Sequence, residues 1–400
     1  MRSRTNKLRD LVATYWQPAV FYGMLILFFG ALLWFKLGTL QNGYSSNELA
    51  TFKETVSLRH IFDNPVNAPF TILAYLIGLV YSGDQSLIAL RLAASALGLL
   101  ALTTFYWLVR HWHGERSAVL GTTVFGCSAW FLHSSRLGTV DILMFMVIAL
   151  LACTVWLKRT ENPVALLSAV GLVATSLYIP GMVWFVLAGA IWQGRTLIRL
   201  PKKQPKLIAA AALGLAALLS PLAWAIFRSP ELVKTLAGLP TEGWPKVTQV
   251  LSNLIHIPYN LFVRGPLNPE HWLARLAILD AFSAVMLVLG AYLFIRHFRL
   301  VRTKIVMSVL VIGTVLASLG GVVTISILIP IVYLFVAAGV GFMLDRWQMV
   351  FPRNVIAQSI GVGLISLAVI ASSWYSLRHY FIAWPNAQAT KQVFTINKRF

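Results

Sequence analysis

Long apolar blocks separated by short polar punctuation run through the 400 residues. Most blocks are close to 20 residues, the length that crosses about 30 Å of hydrocarbon as a helix. Strand-period alternation is absent, which argues against a transmembrane barrel. The first block covers about 18–37 and is followed by the polar stretch 44–54, YSSNELATFKE. The next, 68–81, holds only about 14 residues and suits an interfacial or re-entrant helix. Further blocks lie at 87–109, 117–132, 142–157, 163–193, 207–227, 276–295, 305–319, 322–343 and 355–374. The 163–193 block is too long for one span and is broken at Tyr178, Pro180 and Gly181, so it reads as two. The fold class expected is an all-α polytopic membrane protein, one membrane-embedded unit over 1–400 with eleven transmembrane helices. It has a first external loop at 39–86 with interfacial helices, a large external loop at 228–275 and a short external tail at 375–400.

Charge fixes the orientation. The chain carries 33 Lys and Arg against 13 Asp and Glu, a net +20. In a soluble protein that excess points to nucleic acid. Here the basic residues concentrate in short loops, at 1–10, 110–116, 158–159, 195–206 and 296–304. Basic loops are held on the cytoplasmic side, so the excess encodes topology and no nucleic-acid partner is expected. The N-terminus is then cytoplasmic and the C-terminus extracytoplasmic, in the plasma (inner) membrane. If 68–81 crossed, the later basic loops would fall outside, which supports its interfacial assignment. Cys127 and Cys153 both lie in apolar blocks, so neither a disulfide framework nor a CxxC metal site is indicated.

Three polar features fall on the outer side. The first is Glu48, with Tyr44 and Asn47 beside it and Lys53, Glu54, Arg59 and Asp63 after it. The second is Arg136 with Asp141. The third is the large loop with Arg264, Asn268, Glu270, His271, Arg275 and Asp280. A carboxylate at such a place can take a proton from an acceptor hydroxyl or amine. Arginines can hold a lipid phosphate through paired charge-assisted bonds. Plainer readings compete: a solvated Glu48, an Arg136–Asp141 pair or an acid at a helix start, and headgroup contacts for Arg264 and Arg275. His271 reads as interfacial rather than metal-binding. Trp374, Tyr375, Tyr380 and Trp384 read as an interfacial aromatic belt.

The order of these features resembles the bacterial branch of the GT-C glycosyltransferases, the dolichyl-phosphate-mannose protein mannosyltransferase-like family that includes the aminoarabinose transferases of lipid A. An acidic motif after the first span is matched by Tyr44 to Ala50, an Ala-Leu-Arg-Leu-like segment by Ile88 to Ser95, and an Arg-x-x-x-x-Asp-like element by Arg136 to Asp141. Asn268 to Asp280 and the tail from Tyr380 to Asn386 resemble the family's later motifs. The resemblance implies inverting transfer of a sugar from a polyprenyl-phosphate donor to a protein or envelope-glycan acceptor on the outer face. It implies Glu48 as general base, Asp141 with it in catalysis, Arg136, Arg264 and Arg275 at the donor phosphate, and Tyr44, Asn47 and His271 lining the site.

Two departures bear on this. Asn47 stands where the family usually has a second acid, leaving one carboxylate in the first loop. This weighs against a metal-dependent reaction, since a divalent ion wants several oxygen ligands; no cofactor is assigned as certain, and a divalent metal is kept as the alternative. The late Arg-Tyr-Leu-x-Pro-like element appears as Thr324 to Pro330 with its proline but without its arginine. The rival readings are a lipid or solute transporter or flippase, and a non-catalytic relative that binds lipid-linked sugar. A transporter predicts charged residues at mid-membrane on broken helices, and the charges here cluster at span ends.

Overall fold

The computed structural model describes residues 20, 22–41, 43–80, 86–157, 163–266, 270 and 275–396. Among them there is no β-sheet, only an isolated antiparallel bridge between Tyr44 and Ile396. Five helical stretches are long and apolar enough to cross a membrane: Leu87–His113, Pro205–Arg228, Val301–Ser318, Ile325–Val350 and Val355–Asn386. Shorter apolar helices stand with them, including Tyr22–Trp34, Pro163–Ser176 and Ala281–Arg296. We number the helices α1 (Tyr22–Trp34), α2 (Ser46–Glu54), α3 (Leu58–Asp63), α4 (Ala68–Val80), α5 (Ser86–His113), α6 (Glu115–Cys127), α7 (Ala129–Arg136), α8 (Met146–Trp156), α9 (Pro163–Ser176), α10 (Met182–Lys203), α11 (Pro205–Arg228), α12 (Leu232–Leu236) and α13 (Val247–Phe262). There follow α14 (Ala281–Arg296), α15 (Val301–Ser318), α16 (Ile329–Val350), α17 (Val355–Arg378), α18 (Trp384–Asn386) and α19 (Gln388–Val393).

The centre of the bundle is α16. Every residue from Ile329 to Gly341 is buried, as expected of a helix that is apolar on all sides. Small residues let its neighbours approach. Gly290 of α14 lies against the Phe335 carbonyl, and Gly339 of α16 lies against the Met286 carbonyl. A Cβ at either would collide with backbone. Without a hydrophobic drive between helices in lipid, such close backbone contact supplies much of the packing energy. The outer helices show the reverse pattern. Ile356, Ile360, Leu364 and Leu367 of α17 are exposed, a stripe suited to hydrocarbon.

The expected breaks fall where the sequence put them. Gly181, between α9 and α10, has φ +78°, and Gly320, after α15, has φ +66°. Glycine adopts that left-handed region without a Cβ clash. The piece 68–80 forms α4, packed along α5.

Three expectations change. The block 117–132 is not one helix: Ser128 is extended (φ −62°, ψ 138°) and caps α7 through its hydroxyl, which accepts from Phe131 N. The chain bends there, so 133–136 is not an outer loop but the buried end of α7. A 3-10 turn, Val140–Phe145, then leads into α8. Finally, Tyr380 and Trp384 are fully buried, while Trp374 and Tyr375 are exposed. The belt reading fits only the latter two. The chain passes α17 through a π-helical turn, His379–Ala383, which folds Tyr380 and Trp384 inward to stack on each other at 5.2 Å.

Candidate active site

Local sequence places Glu48. Ser45 caps α2, accepting from Glu48 N at 3.1 Å, while Glu48 Oε2 accepts from Ser45 N at 3.0 Å. This reciprocal capping box turns the Glu48 side chain back over the helix start. There it meets Arg91, which projects from α5. Arg91 Nε donates to Glu48 Oε1 at 2.7 Å and Nη2 to Oε2 at 2.8 Å. Gly138 N donates to Oε1 at 2.9 Å. The carboxylate thus receives four donors, two on each oxygen, which fills its acceptor capacity.

Arg91 is as fully committed. Nη1 donates to the Leu37 carbonyl and Gln41 Oε1, both at 3.1 Å, and Nη2 also donates to the Gly43 carbonyl at 2.8 Å. Its five bonds match the five N–H groups of a guanidinium. The Tyr44 ring lies over it at 4.3 Å. Burial holds the Tyr44 hydroxyl above the ordinary phenol range; the Arg91 charge pulls it down and the Glu48 charge raises it. Both members of the ion pair are fully buried.

This geometry bears on the base expected at Glu48. A general base needs a lone pair within reach of the proton it removes. Here none is left over, and the group is 0 % exposed. The Glu48–Arg91 pair instead ties the end of α1, the first loop, α5 and the 137–139 segment together. Gly138 has to be small at this junction: a Cβ there would sit 2.6 Å from Leu90 Cβ and 3.2 Å from Glu48 Oε1.

Asp141 lies three residues beyond Gly138, within about 10 Å along the chain. It is half-buried in the first turn of the 3-10 helix, and its Oδ2 accepts from Thr139 Oγ1 at 3.4 Å. Arg136 does not pair with it. The arginine is 1 % exposed and donates from Nη1 to the Leu32 carbonyl at 2.8 Å and from Nη2 to the Phe35 carbonyl at 2.6 Å. Tyr380 and Phe381 cover it at 5.4 and 4.8 Å. A phosphate contact at Arg136 is therefore displaced by a structural one: it satisfies carbonyls at the end of α1, which have no intrahelical partner.

Asn47 is exposed beside this junction, and its backbone N–H is claimed by Glu270, whose Oε1 accepts at 3.2 Å. Glu270 is itself 7 % exposed, and His133 Nε2 lies 2.9 Å from its carbonyl oxygen. A carboxylate at the first turn of α2 is electrostatically favourable. A carboxylate from the large loop thus stands at the backbone of Asn47. Arg264 and Arg275 are exposed. Gly265 N reaches the carbonyls of Arg275 (3.3 Å) and Leu276 (3.1 Å), which places the two arginines at the base of one loop. Arg275 has φ +60°, uncommon for a side chain of its size. His271 and Asn268 lie outside the described residues. Among the described residues, no three His, Cys, Asp or Glu gather as a metal centre would require.

Sequence reasoning placed Glu48 but not its partner. The signal was present, since an arginine inside an otherwise apolar helix demands a buried partner. Glu270 was named with the large loop and Gly138 was not singled out; that both meet the first loop is decided by the fold alone.

The tail completes the arrangement. Tyr44 and Ile396 exchange backbone hydrogen bonds at 3.0 and 3.2 Å. Gly43 passes directly under the Phe394 carbonyl. The His133 ring meets Trp384 edge-on at 4.9 Å. The last residues therefore clamp the first loop from outside.

No protein-family model matches the sequence, and no curated protein matches it in sequence. Solved structures do match in fold. ArnT from Cupriavidus metallidurans in the apo state superposes with a TM-score of 0.56 at 14% identity, covering 94% of this chain and 78% of that one. The same protein bound to undecaprenyl phosphate gives 0.53 at 14% identity, covering 94% and 77%. The archaeal oligosaccharyltransferase AglB from Archaeoglobus fulgidus, with an inhibitory peptide and a dolichol-phosphate, gives 0.54 at 14% identity, covering 95% of this chain and 56% of that one. The chain thus spans little more than half the length of AglB. These neighbours are GT-C glycosyltransferases, and the chain has their fold over nearly its whole length.

Proposed function

We propose that the protein is a membrane glycosyltransferase that moves a sugar from a polyprenyl-phosphate donor to an acceptor on the extracytoplasmic face, with inversion. The observation that carries this reading is the convergence of Asn47, Glu48, Gly138 and Glu270 at one end of a GT-C bundle, with Asp141 three residues along the chain from Gly138. The neighbours in fold include proteins solved with undecaprenyl phosphate and with a dolichol-phosphate and a peptide, which supports a lipid-linked donor.

In this reading Asp141 is the catalytic carboxylate. It takes the proton as an acceptor oxygen or nitrogen attacks C1 of the sugar. The C1–O bond to phosphate breaks and polyprenyl phosphate leaves with the bonding pair. Glu48 acts as a positioning residue: locked to Arg91, it fixes the Gly138 backbone and so the approach of Asp141. Glu270 holds the start of α2 and keeps Asn47 facing outward. The donor phosphate is met by Arg264 and Arg275, the exposed arginines at the base of the large loop.

The test uses purified protein in lipid nanodiscs and a panel of polyprenyl-phosphate sugars, with release of polyprenyl phosphate as the readout. The proposal expects at least one donor to be consumed in the presence of membrane acceptor. Tight binding of polyprenyl phosphate with no turnover of any donor would favour a non-catalytic lipid-sugar binder. Neither binding nor turnover would defeat the proposal outright.

A further inference from the structure

Along α8, from Val147 to Leu157, lies a cavity of about 360 Å³. That size falls in the range of small-molecule sites. It is enclosed by α8, α9, α10, α11 and α15. Its walls are aliphatic, with Leu150, Leu166, Val186, Leu215 and Val309 among them; Thr154 and Gln193 bring the polar atoms. The Gln193 amide donates to the Thr154 carbonyl at 3.1 Å, which bridges α10 and α8 at one end of the space.

Three of the helices that line it carry cations close in sequence to lining residues or further along the same helix. Ile305 lines the cavity, and Lys304 precedes it; Lys304 Nζ stands 5.2 Å over the Trp192 ring. Trp192 is fixed in turn by a bond from Nε1 to Ser308 Oγ at 3.0 Å. Ile208 lines the cavity, and Lys206 lies two residues earlier, exposed at the start of α11. Arg199 is exposed on α10, six residues past Gln193 and so about 9 Å further along the helix axis. No carboxylate occurs anywhere in residues 162–230. An apolar slot with cations on three of its helices and no nearby carboxylate in sequence matches an amphiphile with a hydrocarbon chain and an anionic head.

We infer that this cavity holds one acyl chain of an anionic phospholipid from the leaflet on the side where α10 turns into α11, with its phosphate at Lys206, Lys304 and Arg199. By the charge rule that leaflet is the cytoplasmic one. The lipid braces α9 and α11 against α8 and α15. The inference stands independently of the glycosyltransferase reading, since it uses none of the same residues.

Native mass spectrometry of the intact protein tests it, with phosphatidylglycerol or phosphatidylethanolamine supplied in the micelles. Wild type is expected to retain one phosphatidylglycerol and to lose phosphatidylethanolamine under the same activation. Gly189 lines the cavity, and an added Cβ there meets nothing within 4 Å. Gly189→Phe is therefore expected to fill the space and abolish the adduct. The joint change Lys206→Glu with Lys304→Glu leaves the cavity intact and is expected to erase the preference for phosphatidylglycerol. Should Gly189→Phe fail to yield monodisperse protein, the charge reversal decides alone. Equal retention of the two lipids by wild type, or an unchanged preference after charge reversal, would overturn the inference. So would loss of a bound polyprenyl phosphate, rather than of phosphatidylglycerol, in Gly189→Phe.

Discussion

Arg91 grips Glu48 by both carboxylate oxygens, at 2.7 and 2.8 Å, with neither side chain exposed to solvent. Breaking a buried pair from one side leaves a lone charge in an apolar setting, which costs about 3–5 kcal/mol. Arg91→Ala and Glu48→Ala should each depress the thermal midpoint strongly. Replacing both with apolar residues of similar volume, Glu48→Leu with Arg91→Met, should cost less than the sum of the single changes. Additive losses in a double-mutant cycle would show that the two residues do not act as a unit.

Gly138 is a tight point of the junction. Gly138→Ala would press on Leu90 and on Glu48 Oε1. Forced overpacking typically costs about 1–3 kcal/mol. The strain falls on the 137–141 segment, so donor turnover should drop by more than the thermal midpoint suggests. Wild-type turnover in a folded Gly138→Ala protein would remove the junction from the site.

The tail clamp makes a separate prediction. Ending the chain after Asn386 removes the Tyr44–Ile396 bridge and the Phe394 contact with Gly43. Amide exchange across residues 44–54 should then speed up, while α16 stays protected. Unchanged protection of 44–54 would mean that the tail merely rests on the surface.

These cases show what could be read from the chain alone. Apolar blocks foreshadowed the main helices and the Tyr178–Gly181 break, because hydrophobic length and backbone sterics act locally; of the eleven spans expected, five helices among the described residues are long and apolar enough to cross, and α13 lies inside the expected 228–275 loop. Glu48 was visible as an acid after a span, and Arg91 as a charge near the start of one. Their pairing was not, because a contact 43 residues apart depends on how α5 packs. Arg136 looked like a phosphate ligand for the same reason. Its two carbonyl partners, Leu32 in α1 and Phe35 just after it, lie over 100 residues earlier. The bend at Ser128 that buries it left only a weak mark, one serine in an apolar run. Tyr380 and Trp384 look like any interfacial aromatics until the π-helical turn folds them inward.

Glu270 offers a further check. Its Oε1 takes the Asn47 N–H, so Glu270→Gln should weaken the start of α2 modestly, by about 1 kcal/mol, as for loss of a charge-assisted cap. Asn47→Asp would set a second carboxylate beside Glu270. Like charges at such a distance repel, and the thermal midpoint should fall as pH rises through the carboxylate range. A midpoint independent of pH in Asn47→Asp would place the two groups further apart than the structure does.

The central division of labour sets Asp141 at the reacting atoms and Glu48 in the frame. Donor turnover in Asp141→Asn, measured beside the thermal midpoint and polyprenyl-phosphate binding of the same protein, tests it most directly. The account predicts a loss of at least about 100-fold in turnover, in line with removal of a general base, with midpoint and binding unchanged. An Asp141→Asn enzyme that turns over donor at the wild-type rate would contradict it, as would a Glu48→Gln protein of wild-type stability that binds donor and cannot transfer.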